Sequence, residues 1–112
     1  MTRVIYYLTP RNENPVKDFL WSLTKRQKAK IHRIFTLLET YGLSSIIPHT
    51  RKLTGTPLWE IRILGSDNIR IIYVDIKNNQ ILVLHGFIKK KQKTPTKEIS
   101  LSLKRHQNWL DK

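Results

Sequence analysis

The order of hydrophobic periodicities along the chain predicts an α+β fold, with the helices packed on one face of an antiparallel sheet. Three observations carry the prediction. From Val16 to Tyr41 apolar residues recur at helical spacing. From Leu58 to Ile88 the repeat shortens to that of strands. Turn-forming residues, Gly65-Ser66-Asp67-Asn68 and Asn78-Asn79, punctuate the strand region.

Val4 to Leu8 is β-branched, aromatic or aliphatic and reads as a first strand. Asn14-Pro15 is a cap followed by a first-turn proline. Val16, Phe19, Leu20 and Leu23 then form one helical face. Thr24 caps a second helix with Ile31, Ile34, Phe35 and Leu38 inward, extended by Tyr41, and Gly42 ends it. The tight joint makes the pair a helical hairpin. Leu58–Leu64 is a strand with Trp59, Ile61 and Ile63 on one face, and Glu60, Arg62 and Leu64 on the other. Ile69–Ile76 and Gln80–Ile88 are two more strands. The run Ile81-Leu82-Val83-Leu84 is apolar on both faces, which places the last strand centrally. Thr94-Pro95 is another cap-plus-proline start, opening a helix with a sparse stripe from Ile99 and Leu103 to Trp109 and Leu110. Four to five strands are expected. Alternation puts Arg62 with Glu60, Arg70 with Ile72 and Val74, and His85 with Val83 and Phe87.

The 112 residues fit one domain spanning 1–112. With 21 Lys+Arg against 8 Asp+Glu, the formal net charge is +13. Such an excess repels itself in the folded state and points to a polyanionic partner: nucleic acid, an anionic membrane surface or an acidic protein. The absence of cysteine excludes a disulfide framework and thiolate zinc sites, and suits a reducing cytoplasm. No apolar run reaches the ~20 residues of a membrane span. Met1 to Tyr7 turns polar too soon for a secretory signal.

Two stretches concentrate functional chemistry. In His85-Gly86-Phe87-Ile88-Lys89-Lys90-Lys91-Gln92-Lys93, four lysines fall within five residues just beyond a strand end. A strand end is a rigid platform and the loop after it can grip phosphate; the alternative is a solvated basic loop. His49, Arg51 and Lys52 lie on the approach to the strand that carries Arg62. A salt bridge to Glu60 is the structural alternative for Arg62, and Trp59 reads as core. The second helix begins Lys25, Arg26, Lys28, Lys30, His32, Arg33. That is a solvated face or, more pointedly, a second nucleic-acid contact or partner footprint. No His/Asp/Glu set has metal-ligand spacing, and phosphate-loop, dinucleotide and nucleophile-elbow signatures are lacking.

Leu58-Trp59-Glu60-Ile61-Arg62-Ile63, Ile69-Arg70-Ile71-Ile72-Tyr73, Leu84-His85-Gly86-Phe87-Ile88-Lys89-Lys90, and Gln92-Lys93-Thr94-Pro95 with Glu98-Ile99 together resemble the phage-type HigB branch of the RelE/ParE toxin superfamily. The resemblance spans about residues 3 to 106 and is most specific from His85 to Ile99. It implies a RelE-like fold with two N-terminal helices and a C-terminal helix. The implied activity is ribosome-dependent mRNA cleavage, without metal or cofactor. The implied partners are mRNA, the ribosome and a cognate antitoxin of the helix-turn-helix HigA kind. Such cleavage uses the 2′-hydroxyl as nucleophile. It needs a proton acceptor, a stabiliser of charge on phosphorus, and a donor to the leaving 5′ oxygen.

By this resemblance Arg62 and Arg70 clamp the scissile phosphate. Lys89 and Lys90 stabilise the transition state or donate a proton. His85 acts as a base or orients a neighbour. His49, Arg51, Lys52, Lys91 and Lys93 contact RNA. The sequence departs from the RelE pattern at Leu64, where many relatives carry arginine, and in having no tyrosine between Ile76 and Lys112. A gyrase inhibitor of the ParE kind on the same fold, and a non-catalytic basic nucleic-acid-binding module, are the competing readings.

Overall fold

Asn14 and Thr24 start their helices as the sequence predicts. The Asn14 side chain accepts from the Lys17 N–H, and Thr24 and Gln27 form a reciprocal capping box. A computed structural model describes residues 2–63, 65, 68–90 and 93–112. Its elements are β1 (Arg3–Tyr6), α1 (Pro15–Trp21), α2 (Lys25–Tyr41), a 3₁₀ turn (Leu43–His49), β2 (Thr50–Lys52), β3 (Leu58–Ile63), β4 (Ile69–Ile76), β5 (Gln80–Ile88) and α3 (Thr96–Leu110). Gly42 ends α2 at φ +89°, its N–H bonded to the Leu38 carbonyl. Leu64, expected to close β3, lies outside the described residues.

The fold is α+β, with a five-stranded sheet in the order β1-β5-β4-β3-β2. β5 lies inside the sheet between β1 and β4, as its two-sided apolar run predicts, but the middle position belongs to β4. The β2–β3–β4–β5 pairings are antiparallel, whereas β1 runs parallel to β5, so the sheet is mixed. Asn78 and Asn79 turn the β4–β5 hairpin at φ +67° and +56°.

Two cores flank the sheet. On one face α1 and α2 bury Val16, Ile31, Ile34, Phe35 and Leu38 against Ile61, Ile63, Ile71, Ile81 and Val83. On the other, Ile99 and Trp109 of α3 pack against Leu58, Ile72, Val74, Leu82, Leu84 and Phe87. α3 therefore covers the face opposite the helical hairpin, not the same face.

A register shift between Ile72 and Tyr73 leaves Leu84 unpaired: Ile72 faces His85 while Tyr73 faces Val83. This bulge re-aims the end of β5. Val83 stays on the α1–α2 side, and His85 joins Leu82, Leu84 and Phe87 on the α3 side. Strict alternation had paired His85 with Val83. Gly86 then points at α1, where a Cβ would stand 2.5 Å from the Phe19 ring.

Candidate phosphate-binding and cleavage site

Strand register gathers the cations. Arg62 on β3 lies directly opposite Arg70 on β4, and Arg70 lies opposite Phe87 on β5. Directly opposed residues share a face. Lys89 follows two residues later, its backbone N–H donating to the Asn68 carbonyl at 2.7 Å across the end of β4. Glu60 precedes Arg62 on the same face and faces Arg51 on β2. Arg51, Glu60, Arg62, Arg70 and Lys89 thus converge at one end of the α3 face.

A carboxylate organises the cluster. Glu60 is fully buried, and Arg70 and Lys89 are buried beside it. Arg70 Nε lies 3.7 Å from Glu60 Oε1, an ion pair too long for a hydrogen bond. Thr94 Oγ1 donates to Glu60 Oε2, and Arg70 Nη1 donates to the Ile69 carbonyl at 3.0 Å. Among the described residues Glu60 Oε1, Arg62 Nε and Arg70 Nε are buried without a hydrogen-bond partner. Arg62 is not paired to Glu60 by a salt bridge among these residues. Such orphaned groups cost free energy unless a ligand or water completes them.

Burial pulls the Lys89 ammonium below its ordinary pKa. Arg70 pushes the same way, Glu60 opposes, and Arg51 and Arg62 add to the depression. Arg70 is likewise lowered, first by burial, with Glu60 opposing and Arg62 adding; an arginine remains charged regardless. Four cations therefore face one carboxylate. Desolvated guanidinium and ammonium donors suit a phosphate and stabilise charge that grows on it in a transition state. A lysine of lowered pKa gives up its proton more readily than an ordinary one.

His85 shares the face but is engaged by α3. Its Nε2 lies 2.9 Å from Glu98 Oε1. Arg105 Nη1 donates to the Leu84 carbonyl at 2.8 Å and lies 3.4 Å from His85 Nδ1. Since arginine only donates, Nδ1 accepts and Nε2–H donates to Glu98, which assigns a neutral tautomer. Phe87 stacks on the ring at 5.3 Å. In this arrangement both ring nitrogens are occupied in docking α3.

The remaining candidates divide. Lys90 is exposed just past Lys89. Arg51 and Lys93 line a cleft of about 250 Å³ with Thr94, next to the cluster. Lys52 also borders it, but its ammonium lies over the Trp59 ring at 5.3 Å. His49 ends the 3₁₀ turn and lines a different cleft, beside α2. Lys91 lies outside the described residues. Sequence reasoning missed Thr94, Glu98 and Arg105, and gave Glu60 the wrong arginine. A lone acid on a strand face otherwise bound for the core was the available signal, because a buried carboxylate demands partners.

The family model described as "Phage derived protein Gp49-like (DUF891)" matches residues 18–107. The chain belongs to this Gp49-like family. The Gp49-like family is toxin-like and lies within the RelE-like toxin–antitoxin superfamily. That character implies a cognate antitoxin. The matched stretch holds every member of the cation cluster, together with His85, Glu98 and Arg105. No match was found among curated proteins. Among the described residues of this Gp49-like chain, no helix is long and apolar enough to cross a membrane. Nor do those residues contain a group of three or more His, Asp or Glu placed to hold a metal ion.

Proposed function

We propose that this Gp49-like chain is the toxin of a HigB-type toxin–antitoxin pair, a cytoplasmic single-domain endoribonuclease that cleaves mRNA on the ribosome. The observation that carries this reading is the convergence of Arg62, Arg70 and Lys89 around buried Glu60 at one sheet end. An inhibitor acting through protein contacts alone has no need of buried, incompletely bonded cations. A phosphate supplies the acceptors that they lack.

Arg62 and Arg70 hold the scissile phosphate and stabilise its developing charge. Lys89, its pKa depressed by burial and by Arg70, exchanges the proton at the 2′ or leaving 5′ oxygen. Lys90, Arg51 and Lys93 hold flanking phosphates, with Lys52 and Lys91 adding to the field. His85 acts as a positioning residue: it fixes the end of β5 under α3 and so places Lys89. The 2′ oxygen attacks phosphorus, the bond to the 5′ oxygen breaks, and a 2′,3′-cyclic phosphate remains. The charge on phosphorus is met by side chains, so this reading needs neither a metal nor a cofactor. Ribosomal orientation of the message supplies the proximity term that so modest an acid–base set leaves wanting.

The antitoxin, a helix-turn-helix protein of the HigA kind, carries acidic or amphipathic chain onto the basic face. Induced expression tests the reading. Growth arrest, transcript cuts within translated codons, and rescue by the neighbouring gene are expected. Arrest with intact transcripts and inhibited DNA supercoiling would instead favour gyrase as the target.

A further inference from the structure

A further cleft opens at the edge of the sheet, on the face of the helical hairpin. Lys52 on β2 lies directly opposite Trp59 on β3, and Trp59 lies opposite Tyr73 on β4. The three side chains therefore form one ladder across that face. Asp75, two residues beyond Tyr73 on β4, extends it on the same side. The 3₁₀ turn walls the space in front of the rings. The resulting cleft, of about 230 Å³, is lined by Leu43, Ile47, Thr50, Trp59, Tyr73 and Asp75. Alternation marks Trp59 as core, yet the residue is only partly buried, and Ile47 at the lip is 64% exposed.

Lys52 joins this cleft to the phosphate-binding end. It lines the cleft shared by Arg51, Lys93 and Thr94, while its ammonium lies 5.3 Å from the centroid of the Trp59 ring. β2 is the outer strand of the sheet, so the way from one face to the other runs over its edge. Arg51 lies opposite Glu60 and Lys52 opposite Trp59, which sends these neighbours to the two faces. Both are exposed. A strand leaving the phosphate cluster past Arg51 meets Lys52 next, and then the indole.

We propose that this cleft holds one nucleotide of the bound RNA strand: its base stacks on Trp59 in place of the Lys52 ammonium, which moves to the adjoining phosphate. The two polar ends of the ladder select a nucleotide. A cationic side chain from a protein partner would satisfy Asp75 and be repelled by Lys52, and an acidic one would meet the reverse. A nucleotide satisfies both, with its phosphate at Lys52 and N–H donors of its base edge at Asp75. Between those ends Trp59 supplies the stacking surface, and an aromatic ring beside a cation is the pairing that single-stranded nucleic acid uses. Burial and then Asp75 push the Tyr73 hydroxyl up to about 12, so it keeps its proton as a further donor. The inference rests on the RNA-cleaving reading for its choice of polymer, and adds a place where a base away from the scissile phosphate is held.

Trp59 itself reports on the site. The chain has three tryptophans, and Trp21→Phe/Trp109→Phe leaves Trp59 alone to fluoresce. The probe is 2′-O-methylated RNA, which lacks the nucleophile. It is titrated as a base-bearing oligonucleotide and as an abasic one of equal length, which keeps the phosphates. Adenosine monophosphate serves as the free nucleotide. In a separate arm the affinities of Trp59→Leu and Trp59→Phe are compared with that of the unmodified protein. Melting temperatures verify that the variants fold, and the fluorescence arm needs no change at Trp59.

The base-bearing strand is expected to quench Trp59 at saturation, and the abasic strand to quench it far less. Trp59→Leu should bind the base-bearing strand about tenfold more weakly and the abasic strand as before, whereas Trp59→Phe should retain most of the affinity. Equal quenching by the two strands, or an equal loss on both in Trp59→Leu, would overturn the base site and leave the cleavage reading standing. Tighter binding of adenosine monophosphate than of the strand would make the ligand a free nucleotide and overturn the strand assignment. A protein that cuts message on ribosomes yet binds no free strand would overturn the base site alone. One that does neither would overturn both.

Discussion

The Thr94 hydroxyl donates to the Glu60 carboxylate, so the segment leading into α3 is bonded to the centre of the charged sheet end. Thr94-Pro95 reads in sequence as a helix cap. In the structure Pro95 occupies the cap position and no side chain bonds the helix start. The hydroxyl serves the site instead. One hydrogen bond thereby couples the placement of α3 to the carboxylate that holds Arg70.

Thr94→Val leaves a buried carboxylate oxygen without its donor and is expected to cost about 1–3 kcal/mol. Glu60→Ala leaves buried Arg70 unpaired and is expected to cost about 3–5 kcal/mol. Urea unfolding measures both. Thr94→Val with unchanged stability would show that the bond contributes nothing in solution.

Glu60→Gln separates charge from shape. The Glu60 charge favours the protonated form of Lys89, opposing the depression caused by burial and Arg70. Removing that charge lowers the Lys89 pKa further. The limb of the pH–rate profile that belongs to Lys89 therefore moves to lower pH, a shift that simple loosening of the fold does not produce. A limb that stays in place or moves to higher pH contradicts the role given to Lys89.

His85 makes stability depend on pH. Burial holds its pKa below the ordinary 6.5, the Glu98 hydrogen bond opposes this, and Arg105 adds to it. Below 6.5 the unfolded chain takes up the proton first, so the stability from neutral His85 is complete above that pH and declines as pH falls towards the lower folded value. His106, lowered by burial, acts in the same direction. Urea midpoints should be flat above about pH 7.5 and fall towards about pH 5.5. His85→Gln should remove much of that fall, and a slope unchanged in the variant would count against the assignment.

Gly86→Ala tests the packing at the end of β5. The added Cβ would stand 2.5 Å from Phe19 Cδ2 and 2.9 Å from Cε2, so the ring or the strand must move. A destabilisation of about 1–3 kcal/mol is expected. A neutral substitution would mean that α1 yields freely.

The helices and long strands were legible because each carries its own period and punctuation. Val16 to Leu23 and Ile31 to Leu38 could only be helical faces, and Asn78-Asn79 could only turn. Short β2 was illegible: Thr50-Arg51-Lys52 has no apolar alternation and is held as a strand by pairing with β3. The side taken by α3 was hidden too, because its stripe is sparse and the bulge at Leu84 is a tertiary feature. Arg62, Arg70 and Lys89 were legible as a group, since each stands out against an apolar strand or its end. Glu60's choice of Arg70 over Arg62, the Thr94 bond and the engagement of His85 by Glu98 and Arg105 depend on contacts between distant segments.

The central claim is that the cluster around Glu60 cleaves RNA on the ribosome. Its most direct test is primer extension on a defined mRNA after translation with the purified protein and with Arg70→Ala/Lys89→Ala. The unmodified protein should cut within the codon in the decoding site and leave 2′,3′-cyclic phosphate ends. The double variant should cut at least about 10²-fold more slowly. Full-length message with active ribosomes, or equal cutting by the double variant, would contradict the account.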